Sequence, residues 1–173
     1  MKYLISLVVV FLVGCSTRSE YIYIPEPHVV KVKEFKRDIS VKEVVLPYYL
    51  QEGKIPYIKD GKIEFLDEYF SDNAVGFTTK RVVEILKKSF SSQRVYIYPW
   101  SPNKSYILQI DIDKFIADDK NVYLKGDWRF YNPNHKLINF SSFYKTKPIS
   151  NKSVPLVMKS LFDDFIVSIA KRI

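Results

Sequence analysis

The sequence predicts an α/β chain of the mixed α+β kind. One domain is expected, a mostly antiparallel mixed sheet of about five strands packed by two amphipathic helices, after an N-terminal signal peptide. Three observations carry this expectation. Apolar and polar residues alternate in several runs, two stretches repeat apolar residues at helical spacing, and the 173 residues are 47% hydrophobic with only 5 Gly. That length suits a single domain, and the composition excludes a disordered chain. The 13 Tyr and 12 Phe, together with Val and Ile, favour strands over flexible loops.

The N-terminus comes first. Met1-Lys2 is a short positive start, and Tyr3 to Val13 is an apolar run broken only by Ser6. The run is shorter than the roughly 20 residues of a bilayer-spanning helix and has the length of a signal-peptide core. It ends in Leu12-Val13-Gly14-Cys15, which resembles a bacterial lipobox. The thiol accepts a diacylglycerol, and the small residue before it lets a peptidase reach the bond. Residues 1–14 are therefore read as a lipoprotein signal peptide, 15–20 as a lipidated tether and 21–173 as the folded domain. Each buried methylene adds about 0.8 kcal/mol, so several palmitate-like chains on Cys15 hold far more firmly than one. Ser16, where inner-membrane lipoproteins tend to carry Asp, favours the outer membrane, on its periplasmic face.

The mature chain follows in order. Tyr21 to Ile24 reads as a strand stopped by Pro25 and Pro27, and Ile39 to Leu46 as another ended by Pro47. Ile55–Ile58 and Ile63–Leu66 flank Asp60-Gly61, a hairpin whose type I′ turn needs positive φ at both central residues. Asp72 or Asn73 caps a helix with Val75, Val82, Val83, Leu86 and Phe90 on one face. Val95 to Tyr98, Tyr106 to Phe115, Val122 to Tyr131 and Leu137 to Tyr144 are further strands, divided by Pro99, the Asp118–Asn121 turn and the Asn132–His135 turn. Ser150, Asn151 or Ser153 caps a last helix with Val157, Leu161, Phe165, Ile169 and Ile173 in a stripe. Lys171 and Arg172 close it, as the helix dipole favours.

Candidate chemistry is sparse. Cys15 is the only cysteine, and His28 and His135 are the only histidines, so neither a disulfide nor a cysteine or multi-histidine metal site is expected. No cofactor is expected. Asp111 and Asp113 share a strand face with Asp127 on the neighbour, and paired carboxylates suit acid–base work or a cation. Without His, Cys or a glycine-rich loop nearby, they read as the solvated side of a half-exposed sheet. Asp118-Asp119 reads as a turn and Asp163-Asp164 as helix surface. Ser71, Ser91 and Ser92 have no nucleophile-elbow context. The formal charge of +8 points to acidic head groups or an acidic partner surface rather than nucleic acid, given the lipobox. Tyr96, Tyr98 and Trp100 cluster after a strand and form a candidate partner interface, since Tyr and Trp concentrate at hot spots.

Taken in order, these pieces resemble the auxiliary lipoproteins of ABC-type transport systems, including the PqiC/YmbA-like lipoproteins that accompany MCE-type lipid transporters. The matching stretches are Tyr21-Ile22-Tyr23, Leu46-Pro47-Tyr48-Tyr49-Leu50, the Ile55–Leu66 hairpin, Ile110–Phe115, Val122–Trp128 and the closing amphipathic helix. The helix entry departs from the family, with Glu68 to Val75 where Arg-Trp and Glu-Pro-Leu are usual. The resemblance implies a noncatalytic, lipid-anchored periplasmic component that docks MCE-type or other ABC transporter components at the outer membrane. It also implies contact with lipids, and in some members a homo-oligomeric ring. The alternative is a structural or assembly lipoprotein partnering an outer-membrane barrel, as in lipopolysaccharide assembly.

Overall fold

The computed structural model describes residues 20–21, 26–27, 29, 31–69, 73–150 and 152–173. The signal peptide, Cys15, Ile22 to Ile24 of the first expected strand, His28, Ser71, Asp72 and Asn151 lie outside the described residues. The elements in order are β1 (Glu20–Tyr21), β2 (Ile39–Val41), a 3-10 turn (Tyr48–Leu50), β3 (Lys54–Lys59), β4 (Lys62–Tyr69), α1 (Ala74–Phe90), β5 (Val95–Ile97), β6 (Tyr106–Ala117), β7 (Asn121–Tyr131), β8 (Leu137–Pro148) and α2 (Val154–Ala170).

β6 is the axis of one mixed sheet. β7 runs antiparallel along one edge of it, and β8 runs antiparallel beyond β7. The other edge is shared. β2 lies parallel to the start of β6, pairing Ile39 with Tyr106 and Val41 with Leu108, while β3 joins at the far end through Tyr57 and Ala117. Val45 bridges to Asp111 between them. β5 flanks β2 in parallel, β4 flanks β3 as an antiparallel hairpin, and β1 runs parallel to the end of β4. The long ladders are antiparallel and the short ones parallel. The sheet has eight strands among the described residues; the short segments β1, β2 and β5, each anticipated as a strand, join the same sheet rather than standing apart, which takes it beyond the five or so strands expected.

Local chemistry sets the boundaries. Asp60 and Gly61 both have positive φ, 50° and 75°, as the hairpin twist demands. Asn73 caps α1 by accepting the Gly76 N–H at 2.8 Å, and Ser91 ends it in the left-handed region at φ 47°. Ser153 is extended at the start of α2, with Pro155 in the first turn, where a missing N–H costs nothing.

Both helices lie on one face of the sheet, α2 over β6, β7 and β8 and α1 beside it over β5 and β2. Leu108, Ile110, Leu124 and Trp128 point inward and are at most 2% exposed. A register shift between Ile112 and Lys114 makes Asp113 an extra residue on β6. Strict alternation would have turned Phe115 away from the core, and this bulge returns it, with Ala117, to the helix side. Phe115 then stacks with Phe162 of α2 at 6.2 Å between ring centroids. Gly126 lies opposite Ile112 at this bulge. A Cβ there would meet the Asp111 carbonyl oxygen at 2.1 Å, so only glycine fits.

The two helices are also joined by an ion pair. Arg81 is 6% exposed, and its Nε and Nη2 donate to Asp163 Oδ1 and Oδ2 at 2.9 and 2.7 Å. Lys159 donates to the same carboxylate at 2.8 Å. The expectation that Asp163 is helix surface is thereby corrected; Asp164, paired with Lys147 at 2.7 Å, does sit at the surface.

Candidate functional site

The face of the sheet turned away from the helices carries the remaining polar chemistry. Alternation along β7 sends Tyr123, Lys125, Asp127, Arg129 and Tyr131 there. Arg129 sits between two carboxylates. Its Nη2 lies 2.8 Å from Asp127 Oδ1, and its Nη1 pairs with Asp111 on β6. Gln109 donates to Asp111 at 3.2 Å, and the guanidinium lies 5.8 Å from the Phe140 ring centroid on β8. The hydrogen bond that Arg129 donates to Asp111 holds its guanidinium pKa above the ordinary value. The structure thus brings Asp111 and Asp127 together around a cation, whereas Asp113, displaced by the bulge, is out of phase with them. A carboxylate pair neutralised by arginine suits bracing of strands rather than proton transfer. Among the described residues no group of three or more His, Cys, Asp or Glu is placed to hold a metal ion.

Other acidic residues have local work. Asp118 accepts the Lys120 and Asn121 N–H groups at 2.8 Å and the Tyr123 hydroxyl at 2.7 Å. These bonds, the Tyr123 one foremost, hold its carboxyl below the ordinary range. Asp38 is likewise lowered, by its hydrogen bond from Arg94. Tyr49 donates no such anchor but receives one: its hydroxyl oxygen accepts the Phe115 N–H at 3.1 Å, and burial pushes the phenol up.

One concavity on this side is polar. After β5 the chain turns sharply: the Tyr98 N–H donates to Val41 O at 2.8 Å and the Trp100 N–H to Ile97 O at 2.9 Å. Residues 98–105 then fold back over Ser40 of β2 and Ile107 of β6, and the Pro133–His135 turn closes the third side. The half-open cavity has a volume of about 270 Å³ and is lined by Ser40, Ser101, Asn103, Lys104, Ser105 and His135 among others. No carboxylate lines it among the described residues. Ser40 forms its floor at 1% exposure, and its hydroxyl has no hydrogen-bond partner among the described residues. A second crevice, between the helices beside Arg81 and Asp163, is apolar and only about 50 Å³.

The three aromatics of the expected partner interface lie on β5 and in the loop after it. Tyr98, 45% exposed, lines the polar cavity, and Trp100, 84% exposed, stands in the same loop between two lining residues. Tyr96 is half-buried on β5 opposite Ser40 and does not line it. Ser40, Lys104 and His135 were not marked as site residues by sequence reasoning. The one local signal was Ser40 itself, a polar residue between buried Ile39 and Val41. Cys15 lies outside the described residues, and among those residues no helix is long and apolar enough to cross a membrane.

Comparison with known proteins places this fold. A solved structure known only as an uncharacterized protein is similar at TM-score 0.65 and 15% identity, over 83% of this chain and 94% of its own. Protein XCC0632 from Xanthomonas campestris, of the DUF330 family, is similar at TM-score 0.59 and 14% identity, over 89% of each chain. At such identities the likeness shows the fold alone. No protein of curated function matches the chain. The model of one family, described as ABC-type transport auxiliary lipoprotein component, matches residues 24–161. That match runs from before β2 into α2 and so takes in both faces of the sheet, and the chain belongs to the family of ABC-type transport auxiliary lipoproteins.

Proposed function

We propose that this auxiliary lipoprotein works by binding, as a noncatalytic, lipid-anchored periplasmic component of an MCE-type intermembrane lipid transport system. It docks transporter components at the outer membrane. The family match over residues 24–161 carries the reading. The lipobox supports the anchor: residues 1–14 are removed, Cys15 receives the acyl chains, and Ser16 directs the product to the outer membrane. The pairing of Asp111 and Asp127 with Arg129 supports a noncatalytic role, because these carboxylates are engaged in bracing neighbouring strands. The basic balance of +8 favours acidic lipid head groups or an acidic partner surface.

Affinity purification of the full-length chain from its native membranes in nonionic detergent tests this. The expected co-purifying proteins are an MCE-type protein with an ABC ATPase and permease, and the mass of the complex reports whether the lipoprotein itself is oligomeric. Recovery of an outer-membrane barrel without transporter components would transfer the protein to the assembly reading.

A further inference from the structure

We infer that the cavity between the 98–105 loop, Ser40 and the Pro133–His135 turn is an oxyanion site that takes the phosphate group of a phosphate ester. Three features of its lining lead there. Its polar side chains are donors or donor-capable: the hydroxyls of Ser40 and Ser101, the amide of Asn103, the ammonium of Lys104 and the imidazole of His135. No carboxylate among the described residues lines it, so a cation has no anionic ligand there while an anion meets no repulsion. The Ser40 hydroxyl is 1% exposed and unpartnered. A buried hydroxyl without a hydrogen bond costs about 1–3 kcal/mol; this one lies sealed just beneath the lining, and a small shift of the loop would let a bound oxyanion accept from it. Ser105 is already committed, donating to Pro102 O. The hydroxyl of Ser40 therefore remains the one buried donor with nothing to give its hydrogen to at this site.

The backbone supports the same assignment. Lys104 sits at φ 72° and His135 at φ 58°, both in the left-handed region that non-glycine residues enter rarely. The β7–β8 turn holds its shape through Asn132, whose Oδ1 accepts the Asn134 and Lys136 N–H groups at 3.0 Å each. Two walls from different parts of the chain thus bring Lys104 and His135 to the lining of one space. A cavity of about 270 Å³ has room for a phosphate and part of the group esterified to it. The neighbouring indole of Trp100, 84% exposed, offers an apolar surface to whatever extends outward.

The phosphate chemistry stands on the cavity alone. Its source, a glycerophospholipid head group or free phosphate, rests on the transport reading above. Titration of the full-length chain in nonionic micelles, followed by Trp100 emission, separates the two. Glycerol 3-phosphate and inorganic phosphate are the probes and glycerol is the control. Trp100→Phe shows which part of the signal belongs to buried Trp128. Saturable binding of glycerol 3-phosphate is expected, with none of glycerol. Lys104→Ala and Ser40→Ala should each weaken it about tenfold, the loss of one hydrogen bond to a charged group. Lys104 is exposed, so its variant folds even where Ser40→Ala does not. Tighter binding of glycerol 3-phosphate than of phosphate assigns the head group, and the reverse order assigns free phosphate. Binding of neither probe, or affinity unchanged in Lys104→Ala, overturns the site. Loss of transporter co-purification leaves these titrations unaffected, so the two readings fail separately.

Discussion

The two faces of the β6–β7 pair share one alternating sequence and meet opposite environments. On the helix side Leu108, Ile110, Leu124 and Trp128 are sealed, and even the charged contact there, Arg81 with Asp163, is buried and bidentate. On the other side Arg129 is shared between Asp111 and Asp127 at partial exposure, Phe140 and Tyr144 are open to solvent, and the polar cavity opens beside them. Stability is therefore concentrated on the first face. The second is free to carry recognition, because little of the core depends on it.

Substitutions on the two faces sharpen that contrast. The largest effect is expected at the seam between them. Gly126→Ala drives a Cβ to within 2.1 Å of the Asp111 carbonyl oxygen, and the bulge must shift with it. Overpacking of that severity costs about 3 kcal/mol, read as a lowered denaturant midpoint at unchanged slope. On the helix side, Arg81→Met alone strands Asp163 in a dry contact with only Lys159 to answer it. A loss of about 3 kcal/mol is expected, and adding Asp163→Leu recovers most of it, since an apolar pair replaces a buried ion pair nearly without cost. A double variant no better than the single would show that the pair does more than satisfy itself.

The outer face responds less. Arg129→Ala leaves Asp111 and Asp127 facing each other, but solvent reaches part of each side chain, and a loss of about 1 kcal/mol is expected in thermal or chemical unfolding. Acid gives the smallest signal. Asp38 and Asp118 are held below the ordinary value of 3.8 by Arg94 and Tyr123 respectively. A lowered folded pKa stabilises above the unfolded value, so this contribution is complete near neutrality and is lost as pH falls through and below 3.8. Asp38→Asn and Asp118→Asn should each flatten the acid limb of a stability–pH profile.

Much of the architecture was legible because it rests on local pattern. Asp60-Gly61 announced its turn, Val82 to Phe90 and Val157 to Ile169 announced their faces, and the strands from Tyr106 to Tyr144 announced their alternation. The family resemblance carried by those strands agrees with the family match. What was hidden depends on contacts distant in sequence. The alternation along β6 looked continuous, yet Asp113 is inserted and Phe115 changes sides, a choice made by Gly126 on the next strand. The burial of Arg81 has no local sign, because nothing near it in sequence shows that Asp163, 82 residues on, will meet it. The polar cavity needed three separated segments, β2, the β5–β6 loop and the β7–β8 turn, to converge, and residues 98–105 have no periodicity to read.

The anchor proposed at Cys15 underlies the whole functional account, and intact-mass analysis of the protein extracted from its native membranes tests it most directly. The expected species begins at Cys15, lacks residues 1–14 and carries thioether-linked diacylglycerol, and Cys15→Ala should release the chain from the membrane fraction. A full-length or differently cleaved chain with an unmodified Cys15 thiol, recovered without detergent, would contradict it.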